Sequence, residues 1–204
     1  MSKNVIFSPD QEPKKIIIPE KSNLSITIDH NHESPYYVYL EIFVKDQAQV
    51  TMHLNITHGA DITIISYLEG SHAQFNLFGT ILLCNSTTLN LNTHQIHSGQ
   101  DTVSAIQFKG VLYNHSSINY EGLIQIKKDA SHSQASYVNK NLLLGPDAKT
   151  SSKPSMEILH NQVQCSHGTA TSHINRDQIT YLASRGMEID QAKKIIVNGF
   201  IEYE

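Results

Sequence analysis

Apolar and polar residues alternate along most of the chain after about Tyr36. Val50-Thr-Met-His-Leu-Asn-Ile56 is the plainest run, with an apolar residue at every second position. A period of two puts alternate side chains on opposite faces of an extended strand, so this run predicts a strand with one face buried. Asp61–Ser66, Gln74–Leu77 and Thr88–Asn92 repeat the pattern. Turn residues separate the runs: His58-Gly59-Ala60-Asp61, Glu69-Gly70-Ser71 and His97-Ser98-Gly99. Strands roughly a dozen residues apart predict an all-β architecture. Glycine also recurs just before an apolar run, at Gly79, Gly110 and Gly122. A recurring local unit points to stacked similar coils, a β-helix or solenoid. A sandwich also has many short strands, but the tight Asn-Gly hairpin turns expected there are lacking.

The two ends depart from this pattern. Residues 1–35 hold four of the six prolines (Pro9, Pro13, Pro19, Pro35) and read as an irregular N-terminal cap, with Ile16–Ile18 and Leu24–Ile28 as brief strands. The β-helix core then spans residues 36–174. From residue 175 the apolar period becomes helical. Asn175 precedes Arg176-Asp-Gln178 as an N-cap, and Ile179, Leu182 and Ala183 follow at helical spacing, with Gly186 as a C′ stop. A second helix is predicted over Gln191–Asn198, ended by Gly199, with Glu188 or Asp190 as its N-cap. The two helices form a C-terminal hook, too small to be a domain, whose apolar stripe must pack on the β body or on a partner.

Composition sharpens this picture. The chain has 204 residues, 39% hydrophobic and only 17% charged. The surplus is uncharged and polar: 21 Ser, 15 Asn, 13 Thr and 13 Gln. These residues suit turns and strands rather than helices, which argues against a helical bundle. A net charge of −4 and two Arg, Arg176 and Arg185, exclude a general nucleic-acid binder. No apolar run approaches the ~18 residues that span a bilayer, and Met1–Asp10 lacks a secretory apolar run. The expectation is a soluble, cytoplasmic protein in which Cys84 and Cys165 stay reduced.

Cys165-Ser166-His167-Gly168 is the motif with chemistry in it. On a strand, Cys165 and His167 project from the same face. A thiolate beside an imidazole suits iron, zinc or an iron–sulfur cluster, with further ligands coming from elsewhere in the fold or from another chain. The alternative reading is a buried cysteine packed beside a surface histidine. The remaining histidines read as surface residues on strands and turns, with His94 and His97 on opposite faces. His30 and His32 share a face if that stretch is extended. No phosphate-binding loop or nucleophile elbow occurs. Asp101, Glu121 and Asp129 have no converging spacing that marks a carbohydrate-active β-helix.

Several blocks of the second half, in order, resemble a known family. They are Phe108-Lys-Gly-Val-Leu112, Tyr120-Glu-Gly-Leu-Ile124, Ser133-Gln134, Asn141-Leu-Leu-Leu144, Lys153-Pro-Ser-Met-Glu-Ile158, Cys165-Ser-His-Gly168, Tyr181-Leu-Ala-Ser-Arg-Gly186 and Gly199-Phe200. From about His94 to Glu204 the chain resembles the SufB/SufD scaffold proteins of the SUF iron–sulfur cluster assembly system. The Cys-Ser-His-Gly block is closer to SufD. The resemblance implies a right-handed parallel β-helix core with a C-terminal helical segment. It implies a non-enzymatic scaffold that pairs with a SufB-like subunit through the β-helix and docks a SufC ATPase through the helices. His167, with Cys165 beside it, becomes a ligand to iron or a transient iron–sulfur cluster at the shared interface. Ile179, Leu182, Arg185, Ile195, Ile196 and Phe200 become candidate SufC contacts. The alternative is a homodimeric β-helical module without a metal role. Three features depart from the family: about half the usual length, without the N-terminal helical domain; Ala135 and Ser136 where an acidic residue commonly follows the Gln; and Glu188 where the last helix usually has a small N-cap.

Overall fold

Two parallel sheets, wound alternately by one chain, face each other across a lumen. The computed structural model describes residues 2–4, 14–30 and 36–202. Among these, the strands in chain order are β1 (Ser2–Asn4), β2 (Lys14–Ile18), β3 (Asn23–His30), β4 (Tyr37–Val44), β5 (Gln49–Ile56), β6 (Ala60–Leu68) and β7 (Gln74–Leu83). They continue as β8 (Thr88–His97), β9 (Val103–Leu112), β10 (Ser117–Ile126), β11 (Gln134–Leu143), β12 (Lys149–Ile158) and β13 (Gln164–His173). Odd-numbered strands form one sheet and even-numbered strands the other, each in sequence order and paired in parallel. This is a parallel β-solenoid, as the coil pattern and the resemblance both led one to expect.

The period-two pattern explains the winding. Inward positions carry the apolar residues, so Val50, Met52, Leu54 and Ile56 of β5 stack under Phe75, Leu77, Gly79 and Ile81 of β7. Outward positions carry Ser, Thr, Asn and Gln, and some bond up the stack: Asn119 Nδ2 donates to Asn90 Oδ1 at 2.9 Å, and Asn90 Nδ2 donates to Asp61 Oδ1 at 2.5 Å. One corner is a column of residues in the left-handed region, Gln47, His72, Asp101 and His132, at φ 56–57°. Each donates its backbone N–H one coil onward, as His72 does to Gln100 O at 3.0 Å. Asp and His tolerate this conformation better than most residues, which fits their place here.

The recurring glycines make room in the lumen. Gly79 and Gly110 face inward, and a Cβ on Gly79 would collide with the Phe108 ring on the next rung. At Gly122 a Cβ would lie 2.8 Å from the Tyr120 ring. A lumen of fixed width admits a large aromatic only where its neighbour gives up a side chain.

The solenoid begins before Tyr36, which corrects the reading of residues 1–35 as an irregular cap. β2 pairs with β4 and β3 pairs with β5, and Ile18, Ile26 and Ile28 are core residues. The short runs Ile16–Ile18 and Leu24–Ile28 are therefore rungs of the ladder, because their apolar residues continue the inward columns. Pro9, Pro13, Pro35 and His32 lie outside the described residues.

The hook consists of α1 (Arg176–Ser184) and α2 (Ile189–Ile201). Asn175 caps α1 by accepting the Asp177 N–H at 2.8 Å, and Gly186 stops it at φ +88°. Glu188 is the N-cap residue of α2. Gly199 does not end α2, which runs on to Ile201. Packing outweighs the roughly 1 kcal/mol that glycine costs in a helix. Val197, Ile196, Phe200 and Ile201 lie on Val111, Leu142 and Leu82 of the odd-strand sheet, and Lys109 Nζ donates to the backbone carbonyl of Glu202 beyond the helix end.

Candidate functional site

β12 and β13 are the last strands of their sheets, each paired on one side only. One end of the solenoid thus presents two ten-residue edges with no further rung above them. The motif Cys165-Ser166-His167 lies on β13. In-register pairing aligns Cys165 with Ala135 and His167 with Tyr137. Ala135 and Tyr137 are buried and inward-facing, so Cys165 and His167 project to the lumen side of the terminal rung. The two sequence-predicted ligands are brought together on one face.

Their surroundings differ. Cys165 is half-buried, packs against the core and lines a recess of about 520 Å³ with Ser104, Ala135 and Gln164. Burial pushes its thiol up, with a backbone hydrogen bond from Ala135 acting the other way. His167 is exposed. Among the described residues, no three His, Cys, Asp or Glu side chains converge as a metal site. Both cysteines are free thiols, and Cys84 is exposed in the turn after β7.

The lumen beneath this end is polar and aromatic. The Tyr120 and Tyr137 rings stack at 4.7 Å. Tyr120 shares a short hydrogen bond with Thr93, and Tyr137 bonds Ser152 at 3.0 Å. Burial pushes the Tyr137 hydroxyl up to about 12. Asn139 Nδ2 and Asn141 Oδ1 are buried without a hydrogen-bond partner. The inward positions of the last rung are mixed: Thr150 and Ser152, then Pro154, Met156 and Ile158 on β12, and Cys165, His167, Thr169, Thr171 and His173 on β13.

A second buried cluster lay beyond the reach of sequence reading. The expectation that histidines outside the motif sit on the surface fails at His97, which is 0% exposed, and at His30, which is 1% exposed. His97 Nδ1 lies 2.7 Å from Thr102 Oγ1, and Nε2 lies 2.7 Å from Ser104 Oγ. Ser104 donates onward to Gln95 Oε1 at 2.5 Å, and Thr102 bonds Ser133 at 2.6 Å. Since the Ser104 proton goes to Gln95, Ser104 accepts from Nε2–H, and Nδ1 accepts from Thr102. The ring is held neutral, and burial pushes it down to about 4. His94, three residues earlier, faces outward as the alternation required.

The structure divides the six candidate docking residues. Ile196 and Phe200 pack the hook onto the body. Ile179 and Leu182 are half-buried. Ile195 is 50% exposed, and Arg185 is exposed, its guanidinium 5.4 Å from the Tyr181 ring. Tyr181 (59%) and Ile189 (56%) are exposed apolar residues of the hook that the sequence reading had not singled out. No helix of the described residues is long and apolar enough to cross a membrane.

A family model described as "SUF system FeS cluster assembly, SufBD core domain" matches residues 16–200. The chain belongs to the SufB/SufD family. It is 24% identical over 172 residues to the iron–sulfur cluster assembly protein SufD of Escherichia coli, covering 83% of this chain and 41% of that one. A SufBD family protein of Synechocystis, slr0076, is 24% identical, covering 93% of this chain and 51% of its own length. The chloroplastic ABCI8 of Arabidopsis thaliana is 28% identical over 133 residues, 65% of this chain and 24% of that protein. The chain thus spans from about a quarter to a half of these curated relatives.

Proposed function

We propose that this chain is a SufD-like scaffold subunit, not itself an enzyme, whose open solenoid end is an assembly interface for iron–sulfur clusters. The observation that carries this is the terminal strand β13, where Cys165 and His167 face the lumen side of an unpaired edge. An edge strand with free N–H and C=O groups is a template for another chain's strand. A SufB-like subunit meeting that edge adds its own donors, and His167 and Cys165 then supply an imidazole and a thiolate to iron or to a transient cluster. That cluster is cargo. The borderline and soft character of these ligands matches iron and sulfide. Free thiols require a reducing compartment, which the cytoplasm provides.

The hook serves the second partner. α2 is anchored through Val197, Ile196 and Phe200, while α1 has no buried residue and carries Tyr181 and Arg185 outward. With Ile195 and Ile189 exposed on α2, this face suits a SufC-type ATPase, with ATP hydrolysis belonging to that partner. The test is anaerobic co-expression with SufB-like and SufC subunits. Truncation after Asn175 is expected to lose SufC and keep the SufB-like partner. His167→Ala is expected to keep both and lose the cluster's visible absorption. Retention of SufC by the truncated chain removes the docking assignment, and an unchanged cluster in His167→Ala removes the ligand assignment.

A further inference from the structure

Both sheets turn an apolar column outward, and the chain treats the two differently. On the odd-strand sheet Leu82, Val111 and Leu142 lie one above another. α2 covers them with Val197, Ile196 and Phe200. On the even-strand sheet Ile17, Phe43, Tyr67 and Ile96 stack in the same way over four coils. This second column is left open to solvent: Ile17 is 65% exposed and the other three are half-buried. Tyr37 and Tyr39, both exposed, lie beside it on the same face of β4. The face is also ordered. The Phe43 and Tyr67 rings stack at 4.6 Å, the Tyr67 hydroxyl donates to Glu41 at 3.5 Å, and Lys15 Nζ lies 3.3 Å from Glu41 Oε2. Side chains already fixed lose little freedom on binding. A surface rich in aromatics and poor in net charge has the composition of an interface core.

We propose that the outer face of β2, β4, β6 and β8 is an interface between two copies of this chain, docked sheet against sheet. Area, shape and charge each favour a second copy. Strands about 4.8 Å apart, with alternate residues about 6.7 Å apart, give the outward positions of these four strands roughly 500 Å² of sheet plane per copy. The pair then reaches the roughly 1,000 Å² that a weak specific interface needs. The surface is a flat sheet, and aligned sheets pack face to face about 10 Å apart. Lys15 and Glu41 cancel each other inside it, so the face selects neither a basic nor an acidic partner although the chain carries a net charge of −4. A twofold contact uses the same patch on both copies. An axis lying in the interface, parallel to the strands and between β4 and β6, lays the apolar column on its own reverse. Phe43 then faces Tyr67 of the second copy, and Ile17 faces Ile96. The same axis sets Tyr37 opposite Asp61, a hydroxyl donor opposite a carboxylate acceptor. The hook and the open end of the solenoid take no part in this contact, so each copy keeps both surfaces for other partners.

The test is sedimentation equilibrium of the purified full chain over a concentration series in reducing buffer. The expected result is a reversible monomer–dimer equilibrium that persists at high salt, since salt screens charge pairs and not apolar contact. Ile17→Lys and Tyr39→Lys change exposed side chains of the face, and each is expected to abolish the dimer. Ser166→Lys, on the outward side of the terminal strand β13, is expected to leave it intact. Circular dichroism verifies that each variant is folded. Acetylation of tyrosine hydroxyls by N-acetylimidazole reads the same face without a substitution. Tyr37 and Tyr39 are expected to become protected as the chain concentration rises, whereas Tyr181, exposed on the hook, stays reactive. A chain that is monomeric at every concentration overturns the proposal. So does a dimer that both lysine variants of the face leave intact, a dimer that only Ser166→Lys abolishes, or labelling of Tyr37 and Tyr39 that does not change with concentration.

Discussion

His97 makes the solenoid sensitive to acid in a way that can be calculated. In the unfolded chain an imidazole titrates near 6.5. In the lumen, burial pushes His97 down to about 4, with Thr102 and Ser104 holding the neutral ring. Between these values the unfolded chain binds a proton that the folded chain refuses. Stability from His97 is therefore whole above pH 6.5, falls as the pH drops, and is spent by about pH 4. At about 1.4 kcal/mol per pH unit, the gap amounts to roughly 3 kcal/mol, a large share of the 5–15 kcal/mol typical of a domain. His97→Gln isolates the effect, since glutamine keeps one donor and one acceptor but does not titrate. The assay is urea unfolding of both chains from pH 8 to pH 4, read as the difference between them. Other titrating groups, the half-buried His94 among them, cancel in that difference. The expected result is a wild-type advantage that shrinks by about 3 kcal/mol on acidification. A difference that stays flat across this range refutes the account of His97 as a buried neutral ring.

Three further predictions test the packing. Gly79→Val places a side chain against Phe108 and is expected to cost about 1–3 kcal/mol or more, with partial recovery in a Gly79→Val, Phe108→Leu chain, both read by thermal unfolding. Leu142→Ala removes the buried platform under Val197 and is expected to speed hydrogen exchange in α2, where the solenoid strands keep their protection. Asn175→Ala removes the α1 cap and is expected to cost that helix about 1 kcal/mol, seen as faster exchange confined to α1.

Alternation along single strands was legible because burial follows the backbone's own period. Val50–Ile56 needs no tertiary information to declare its inward face. The hook's first stop was legible for the same reason, since Gly186 is a local backbone event. Gly199 misled because its effect is overridden by packing on Val111 and Leu142, residues more than fifty positions away. Residues 14–30 misled because Pro19, and the prolines flanking the stretch, obscured apolar runs too short to show a period by themselves.

What lies one coil apart is a different kind of information. Gln49 pairs with Gln74, 25 residues on, whereas Ser117 pairs with Lys149, 32 residues on. With coil lengths this uneven, no spacing in the sequence tells which side chains share a column. That is why Ser133, one coil on, gave no sign that it would bond Thr102 beside His97; Thr102 and Ser104 lie only 5 and 7 residues from His97, across the turn into β9. Cys165 and His167 escaped this limit because the pair is local: i and i+2 share a face in any strand. Yet that rule alone leaves the face unspecified. Only the register of β13 on β11 turns the pair toward the lumen. There the usual equation of inward with buried fails, because the terminal rung has no strand above it. On β13 its inward positions are Cys165, His167, Thr169, Thr171 and His173, whereas β12 turns Met156 and Ile158 inward.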